Sequence, residues 1–192
     1  PVMEGLWIRK ADLKNMTEVA GYLRMDFIIP ARGLIGFRNQ FLTDTKGNGI
    51  MNHVFAGWGA YKGDIPGRTR GSLVAFEAGT TTAYGIDKCQ ARGTMYVNPG
   101  EEVYEGEIVG ENSREDDMDV NPCKKKHVSN MRAAGSDDAV RLVPPQTFSL
   151  EGALEHINDD ETVEVTPKSI RMRKKILSRQ ERSRQRARNA RA

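Results

Sequence analysis

Two hydrophobic periods follow each other in the first third of this chain, and together they restrict the fold that it can adopt. From Tyr22 to Ile29, large apolar residues alternate with other residues, which is the period of a strand with one buried face. Pro30 ends that run, and the next apolar residues have helical spacing, at Leu34, Phe37, Phe41 and Leu42. A turn at residues 46–49 closes this predicted helix.

Two more elements extend the pattern. Apolar residues at helical spacing between Val2 and Trp7 predict a short helix, and residues 50–55 predict a second strand. The order of helix, strand, helix and strand predicts a split βαβ sandwich whose first strand would precede Pro1. We therefore expect residues 1–66 to form a truncated ferredoxin-like domain, and the chain to be a piece of a longer protein.

The remaining chain is predicted to be rich in short strands. Glycines crowd residues 56–71 and mark a domain boundary. Strand patterns follow at residues 72–76, 94–97, 102–109, 140–143, 162–165 and 169–173. Short helices are predicted near residues 84–91 and after Ser149, a residue type that caps helices well. The chain is thus predicted to be α+β, with a β-rich second domain at residues 67–175 and a basic tail at residues 176–192.

Composition and motifs exclude several classes of protein. The sequence has neither a run of about 18 apolar residues nor a signal peptide, so we expect a soluble protein without a membrane partner. Its two cysteines, Cys89 and Cys123, form no CxxC pair, which fits the reducing cytoplasm. No GxxxxGK motif followed by Ser or Thr is present, so no phosphate loop is assigned. No serine or cysteine nucleophile with a recognisable base is found in the sequence, so the chain is predicted to be non-catalytic.

Positive charge is concentrated at the C-terminal end. Residues 171–192 hold ten Arg or Lys residues against Glu181, a net charge of +9, which leaves −6 for the rest of a chain whose formal net charge is +3. Such a block is either a solvated, disordered tail or a nucleic-acid contact. Because it lacks an apolar stripe, any helix there would form mainly on a partner.

The longest segment without a strand or helix pattern is residues 112–138. It carries acids at residues 115–119, which we expect to be solvated, and then the lysine triplet 124–126. Loops longer than about 12–15 residues are uncommon in compact domains and are usually functional or disordered. We expect this loop to be mobile in the free chain and to become ordered against RNA. A flexible surface loop of balanced charge is the alternative.

The predicted RNA contacts lie in this loop and around the last strand. Lysines and arginines neutralise phosphates, and the plane of a histidine or arginine can stack on an unpaired base. The predicted contacts are Lys124, Lys125, Lys126, His127, Asn130, Arg132, Arg171, Arg173, Lys174 and Lys175.

Partial matches to metal sites in the loop fail. Residues 117–121 begin like a calcium loop, but Pro122 stands at the sixth position, where glycine is needed, and Val128 replaces the final glutamate. Cys123 and His127 would supply only two of the four ligands of structural zinc. No metal site is therefore predicted.

Several blocks of sequence resemble one protein family. Residues 27–49 (FIIPARGLIGFRNQFLTDTKGNG) resemble the BipA/TypA family of ribosome-associated translational GTPases and, more distantly, the last domain of elongation factor G. Further blocks with this resemblance are residues 12–16, 102–106, 130–135, 142–145 and 164–167. They follow in order over nearly the whole chain, and together they are specific.

The resemblance implies the C-terminal part of such a GTPase, with GTP and Mg²⁺ bound upstream and no cofactor in this chain. It implies a role in 50S subunit assembly and in stress-adapted translation, with contacts to 23S rRNA and A-site tRNA. The partner would be the ribosome, and the chain a cytoplasmic monomer. A stand-alone RNA-binding assembly chaperone without GTPase activity is the alternative, while a metabolic enzyme would require a pocket with a perturbed acid or base.

Overall fold

The structure is a computed structural model, and it describes residues 1–125 and 141–189. Unit 1 comprises Pro1–Gly67 and Leu154–His156, and unit 2 comprises Arg68–Ala153 and Ile157–Ala192. Each unit combines helices with small sheets, so the predicted α+β class is confirmed. In the described part of the chain, no helix has the length and apolar character needed to cross a membrane.

The first 67 residues form two short helices and a hairpin. Their elements are α1 (Val2–Ile8), β1 (Asp12–Val19), β2 (Tyr22–Ile28), a 3-10 turn (Ala31–Leu34) and α2 (Phe37–Asp44). Both helices and β2 occur where the sequence predicts them. Leu6, Ala11 and Phe37 form the buried core, with Phe27 and Phe41 packed against it. Residues of the predicted strand and of the predicted helix therefore pack in one core.

Sequence reasoning misses strand β1. It pairs antiparallel with β2, yet nearly all of its side chains are exposed. It consequently lacks the alternation of apolar and polar residues on which strand prediction depends. The connecting residues Ala20 and Gly21 have φ values of 50° and 80°, and two positive φ values match a tight turn to the twist of its strands. Pairing across this turn holds β1, and burial contributes little.

The strand predicted at residues 50–55 is wrong, since this segment contains neither helix nor strand. Ile50, Val54 and Phe55 are 86%, 88% and 74% exposed. No strand among the described residues pairs with them, and the backbone groups of a strand need a neighbouring strand to bond. The predicted order of helix, strand, helix and strand therefore fails at its last element.

The main sheet of unit 2 packs against a helix. The elements in the remaining described residues are β3 (Ser72–Ala75), β4 (Gly79–Thr80), α3 (Ala83–Gln90), β5 (Gly93–Met95), β6 (Glu102–Val103), β7 (Ile108–Asn112), β8 (Met118–Val120), α4 (Leu150–His156), β9 (Glu161–Val165), β10 (Ile170–Lys174) and α5 (Arg179–Asn189). The main sheet has the order β5-β7-β3-β8, with β8 parallel to β3. Leu73, Ile86 and Val109 are buried in the core that this sheet shares with α3.

A second core joins β7 to the hairpin β9–β10. Ile108 of β7, Ala153 of α4 and Met172 of β10 are buried together. The hairpin and the helix after Ser149 occur as predicted, and the Ser149 hydroxyl accepts a hydrogen bond of 3.2 Å from the Gly152 N–H. This cap satisfies one of the free N–H groups at the helix start.

Residues 112–138 do not form one long loop. Asn112 ends β7, and β8 pairs with β3 at the edge of the main sheet. Val120 and Pro122 are buried. The prediction of a single loop is therefore wrong for residues 112–125, because β8 is too short for its period to be recognised beside the acids. Residues 126–138 lie outside the described part of the chain.

The strand predicted at residues 140–143 is wrong where the structure describes it. Residues 141–143 contain no strand. The Gln90 side chain donates to the Arg141 carbonyl at 3.0 Å and accepts from the Val143 N–H at 3.2 Å. An amide carries both a donor and an acceptor, so Gln90 supplies the hydrogen bonds that a neighbouring strand would supply.

Candidate nucleic-acid interface

The predicted RNA contacts fall into three environments. Lys126, His127, Asn130 and Arg132 lie outside the described residues. Lys124, Lys125 and Lys175 are exposed. Arg171 and Arg173 are half-buried, and Lys174 is buried. The structure thus separates residues that the sequence alone presents as equivalent cations.

The backbone that leads into the lysine triplet is fixed to the start of α3. The Thr82 N–H donates to the Pro122 carbonyl at 3.0 Å, and the Thr82 hydroxyl donates to the Lys124 carbonyl at 2.6 Å. The same hydroxyl caps α3 by accepting from the Gly85 N–H at 2.9 Å. Lys124 therefore extends an exposed side chain from an anchored backbone.

Gly85 is essential to this anchor, since a methyl group there would lie 2.1 Å from the Pro122 carbonyl oxygen. We expect Gly85→Ala to lower the free energy of unfolding of unit 2 by about 1–3 kcal/mol, because α3 and the Pro122 backbone must move apart. Hydrogen exchange of the β3 amides would measure the loss. Gly59→Ala is the matched control, because nothing lies within 4 Å of a methyl group there. Equal effects at both glycines would contradict the steric explanation.

Arg171 and Arg173 lie beside carboxylates of unit 2. Arg173 Nε donates to Glu164 Oε1 at 2.6 Å, and the Tyr104 hydroxyl donates to Glu164 Oε2 at 2.6 Å. These two hydrogen bonds, that of Tyr104 first, lower the pKa of Glu164. Arg171 Nε lies 3.9 Å from Glu107 Oε1, and burial raises the pKa of Glu107 to about 7. Glu164 therefore offsets the charge of Arg173, whereas Glu107, which is partly protonated at neutral pH, offsets the charge of Arg171 less.

Lys174 is enclosed by carboxylates. Its side chain is 2% exposed, and its Nζ lies 2.6 Å from Asp117 Oδ2, 2.8 Å from Asp160 Oδ2 and 2.9 Å from Glu161 Oε1. Although burial lowers the pKa of Lys174, these carboxylates raise it above its ordinary value. An ammonium has three donors, and here each has a partner. The structure therefore gives Lys174 a structural role in place of the RNA contact predicted from the sequence.

Glu161 anchors the same ion-pair cluster at the start of β9. Its carboxylate accepts from the Ser72 hydroxyl at 2.6 Å, from Arg68 NH2 at 2.8 Å and from the Asn158 N–H at 2.9 Å. Burial by itself would raise the pKa of Glu161, but the hydrogen bonds from Ser72 and Asn158 and the charge of Lys174 lower it to about 2. We call this set, with Asp117 and Asp160, the Lys174 cluster. It ties the hairpin β9–β10 to β3.

Helix α5 is bound to the acids around β8. Arg182 NH2 donates to Asp119 Oδ1 at 2.6 Å, and Arg179 Nε lies 3.3 Å from Asp119 Oδ2. Arg186 NH2 lies 2.9 Å from Asp117 Oδ2. Arg182 is only 7% exposed. The expectations of solvated acids and of a disordered tail are therefore wrong for these residues, because each charge finds its partner within unit 2.

A signal for this docking exists in the spacing of the charges. The arginines recur at i, i+3 and i+7, which is one face of a helix, at Arg179, Arg182 and Arg186. The aspartates recur at i and i+2, which is one face of a strand, at Asp117 and Asp119. Neither pattern shows that the helix and the strand meet, so sequence reasoning misses the contact.

A cavity of about 450 Å³ opens beside the Lys174 cluster. Its lining residues are Glu115, Asp116, Asp117, Asn158, Asp160, Lys174 and Arg186. Lys174 and Arg186 each pair with a carboxylate of this lining, so part of its negative charge is neutralised internally. Within residues 1–125 and 141–189, no group of His, Cys, Asp and Glu side chains is suited to hold a metal ion.

Comparison with known proteins finds a family match for each of two consecutive parts of the chain. The elongation factor G C-terminus family matches residues 1–69, and the TypA/BipA C-terminal domain family matches residues 70–179. The chain belongs to the TypA/BipA family. Similar TypA/BipA proteins occur in Synechocystis (44% identical over 90% of this chain), Salmonella typhimurium (46% over 95%) and Bacillus subtilis (45% over 94%), and each is named large ribosomal subunit assembly factor BipA. The chain spans 29–30% of the length of these relatives.

Proposed function

We propose that this chain is the RNA-binding C-terminal region of a translational GTPase that acts in 50S subunit assembly and in stress-adapted translation. The match to TypA/BipA relatives named large ribosomal subunit assembly factor BipA, over 90–95% of the chain, carries the proposal. In the whole protein, GTP and Mg²⁺ would bind upstream, and this chain would be non-catalytic and hold no cofactor. A ribosomal role also implies a cytoplasmic location, and we propose a monomer.

A simple observation tests the GTPase part of this proposal. The gene upstream of Pro1 is expected to encode a GxxxxGK motif followed by Ser or Thr, the loop that cradles nucleotide phosphates. An upstream sequence without it would favour a stand-alone assembly chaperone.

The proposed RNA surface is the exposed lysine segment after β8. Lys124 and Lys125 are exposed, and the hydrogen bond from Thr82 to the Lys124 carbonyl fixes where they leave the domain. An anchored backbone lowers the ordering cost of binding. We propose that these lysines contact phosphates of 23S rRNA and A-site tRNA together with Lys126, His127, Asn130, Arg132, Arg171, Arg173 and Lys175.

The finer architecture of the first domain is also a proposal. We propose that residues 1–66 are a ferredoxin-like domain that lacks its first strand, followed by the family-specific domain at residues 67–175. The match of the elongation factor G C-terminus to residues 1–69 supports this.

The lysine triplet provides the test of RNA binding. We expect replacement of Lys124, Lys125 and Lys126 by Ala to weaken binding to 50S subunits and to flatten its salt dependence. Each lost phosphate contact lowers the slope of log K against log salt by about 1. Binding of the labelled 192-residue chain to purified 50S subunits, titrated with KCl, measures both quantities.

The control removes the same charge elsewhere on the surface. Lys14, Arg24 and Lys168 are exposed, and their replacement by Ala changes the net charge equally. We expect the control to keep the salt slope of the original chain. Equal losses of binding in both variants would show that net charge alone accounts for the effect, and would contradict an RNA site at the triplet.

A further inference from the structure

Helix α5 has two faces of different character. Its docked face consists of Arg179, Arg182 and Arg186, whose guanidinium groups all pair with Asp117 or Asp119. Residues of an α-helix follow at about 100° intervals, at 3.6 per turn. Arg184 and Arg188, four residues apart, therefore point away from the docked face. With Gln180 and the exposed Glu181, one turn earlier, they form what we call the outer face.

The outer face carries charge without a partner in the described residues. Arg184 and Arg188 are exposed, and within residues 1–125 and 141–189 neither forms an ion pair. The only acid of the helix, Glu181, makes none either among these residues. Docking therefore pairs one side of α5 with Asp117 and Asp119 and leaves two guanidinium groups and the Glu181 carboxylate facing solvent on the other.

We propose that the outer face of α5 is a second phosphate-binding surface, which takes the backbone of an RNA helix through Arg184 and Arg188. Its ligand class rests on the proposed RNA-binding function. The surface consists of residues other than those of the lysine segment, since it lies on α5. It also extends beyond the TypA/BipA C-terminal domain match, which ends at residue 179, where α5 begins.

The chemistry of the outer face fits phosphate. A guanidinium presents a planar fork of donors that matches phosphate oxygens in a bidentate manner. Four residues of helix separate Arg184 from Arg188 by about 6 Å along the axis, so each can meet a different phosphate. Protein interfaces depend on buried aromatic or apolar anchors, and the outer face has none. A polyanion backbone is therefore the better partner.

Docking gives this surface its shape before the ligand arrives. An isolated helix shorter than about 12–15 residues is marginal in water, and α5 has 11 residues. Three ion pairs and the hydrogen bond from the Arg179 N–H to Glu105 Oε1 at 2.8 Å hold it in place. A carboxylate at a helix N-terminus also stabilises the helix through its interaction with the helix dipole. The aspartates thus order the helix whose opposite side binds RNA.

The test uses the 192-residue chain and a labelled RNA duplex of arbitrary sequence. We expect the double variant Arg184→Gln and Arg188→Gln to bind about 10-fold more weakly at about 50 mM salt, with a salt slope smaller by about 2. The matched control is Arg24→Gln with Arg38→Gln, which removes two exposed arginines outside α5. We expect the control to keep both values.

The outcomes separate this inference from the proposed function. If the α5 variant binds the duplex like its control, the inference is overturned, while the lysine triplet variant on 50S subunits still judges the proposed function. If poly-glutamate competes as well as unlabelled RNA of equal charge, the outer face is a site for acidic protein and the inference is overturned. If the original chain binds neither duplex nor 50S subunits, both fall.

Discussion

Replacing Lys174 with Met is expected to lower the free energy of unfolding of unit 2 by about 3–5 kcal/mol, because it removes the buried cation that the buried Glu161 and the partly buried Asp117 share. Met has a similar length, so packing changes little. Glu161 is fully buried, with its side chain 0% exposed, and among the described residues it then retains Arg68 as its charged partner. Hydrogen exchange of the β3 and β7 amides reports on unit 2, while the fluorescence of Trp7 and Trp58 reports on unit 1.

The neighbouring lysine is a matched control. Lys175 is exposed, and Lys175→Met is expected to change the free energy of unfolding by less than about 0.5 kcal/mol. The double variant Lys174→Met with Asp117→Asn is expected to cost less than the sum of the single variants, because contacting charges couple. Additive losses, or equal losses at both lysines, would show that the ion pairs do not stabilise unit 2.

The pH dependence of unit 2 gives an independent view of the same cluster. The pKa of Glu161 is about 2 in the folded chain, against its ordinary value of 4.5. A lowered carboxyl pKa contributes stability that is present above pH 4.5 and is lost as the pH falls towards 2. We expect this loss to be about 3 kcal/mol in the original chain. It should be clearly smaller in the Lys174→Met variant, because the pKa of Glu161 rises without the ammonium.

Replacing Arg182 with Gln is expected to detach α5. The substitution removes the 2.6 Å bond to Asp119 and the bonds to the Ile176 and Leu177 carbonyls. Charged hydrogen bonds of this kind contribute about 1.5–3 kcal/mol, and Asp119 is 23% exposed, which limits the penalty. We expect a loss of about 2–3 kcal/mol in the local opening energy of α5. Its amides would exchange roughly 30- to 150-fold faster.

Arg184→Gln is the control for this experiment, because it removes an exposed arginine of the same helix. Its α5 amides are expected to exchange at nearly the original rate. Exchange of the β3 amides should change little in either variant, since α5 is not part of the main sheet. Equal acceleration by both substitutions would mean that helix propensity, rather than the bond to Asp119, holds α5.

Local patterns succeeded where one face of an element is buried. The helix before Arg9, the helix that begins at Phe37 and the hairpin of β9 and β10 all follow their apolar periods. The pattern failed at β1, which is exposed and held by its pairing. It failed again at residues 50–55, where an apolar run has no strand beside it. Apolar periodicity reflects which face of an element is buried. It therefore misses a strand that is paired but exposed, and it predicts a strand wrongly where an apolar run has no partner strand.

At the candidate site, too, some features follow from the sequence alone and others from the tertiary structure. The sequence by itself determined the family, the elements with one buried face and the concentration of basic residues near the C-terminus, because these depend on composition and on neighbours in the chain. Only the tertiary structure decided which charges are free. Arg182 meets Asp119 across 63 residues, and Lys174 is enclosed while Lys175 is exposed. Burial and ion pairing depend on distances in space, which the spacing of residues along a chain does not contain.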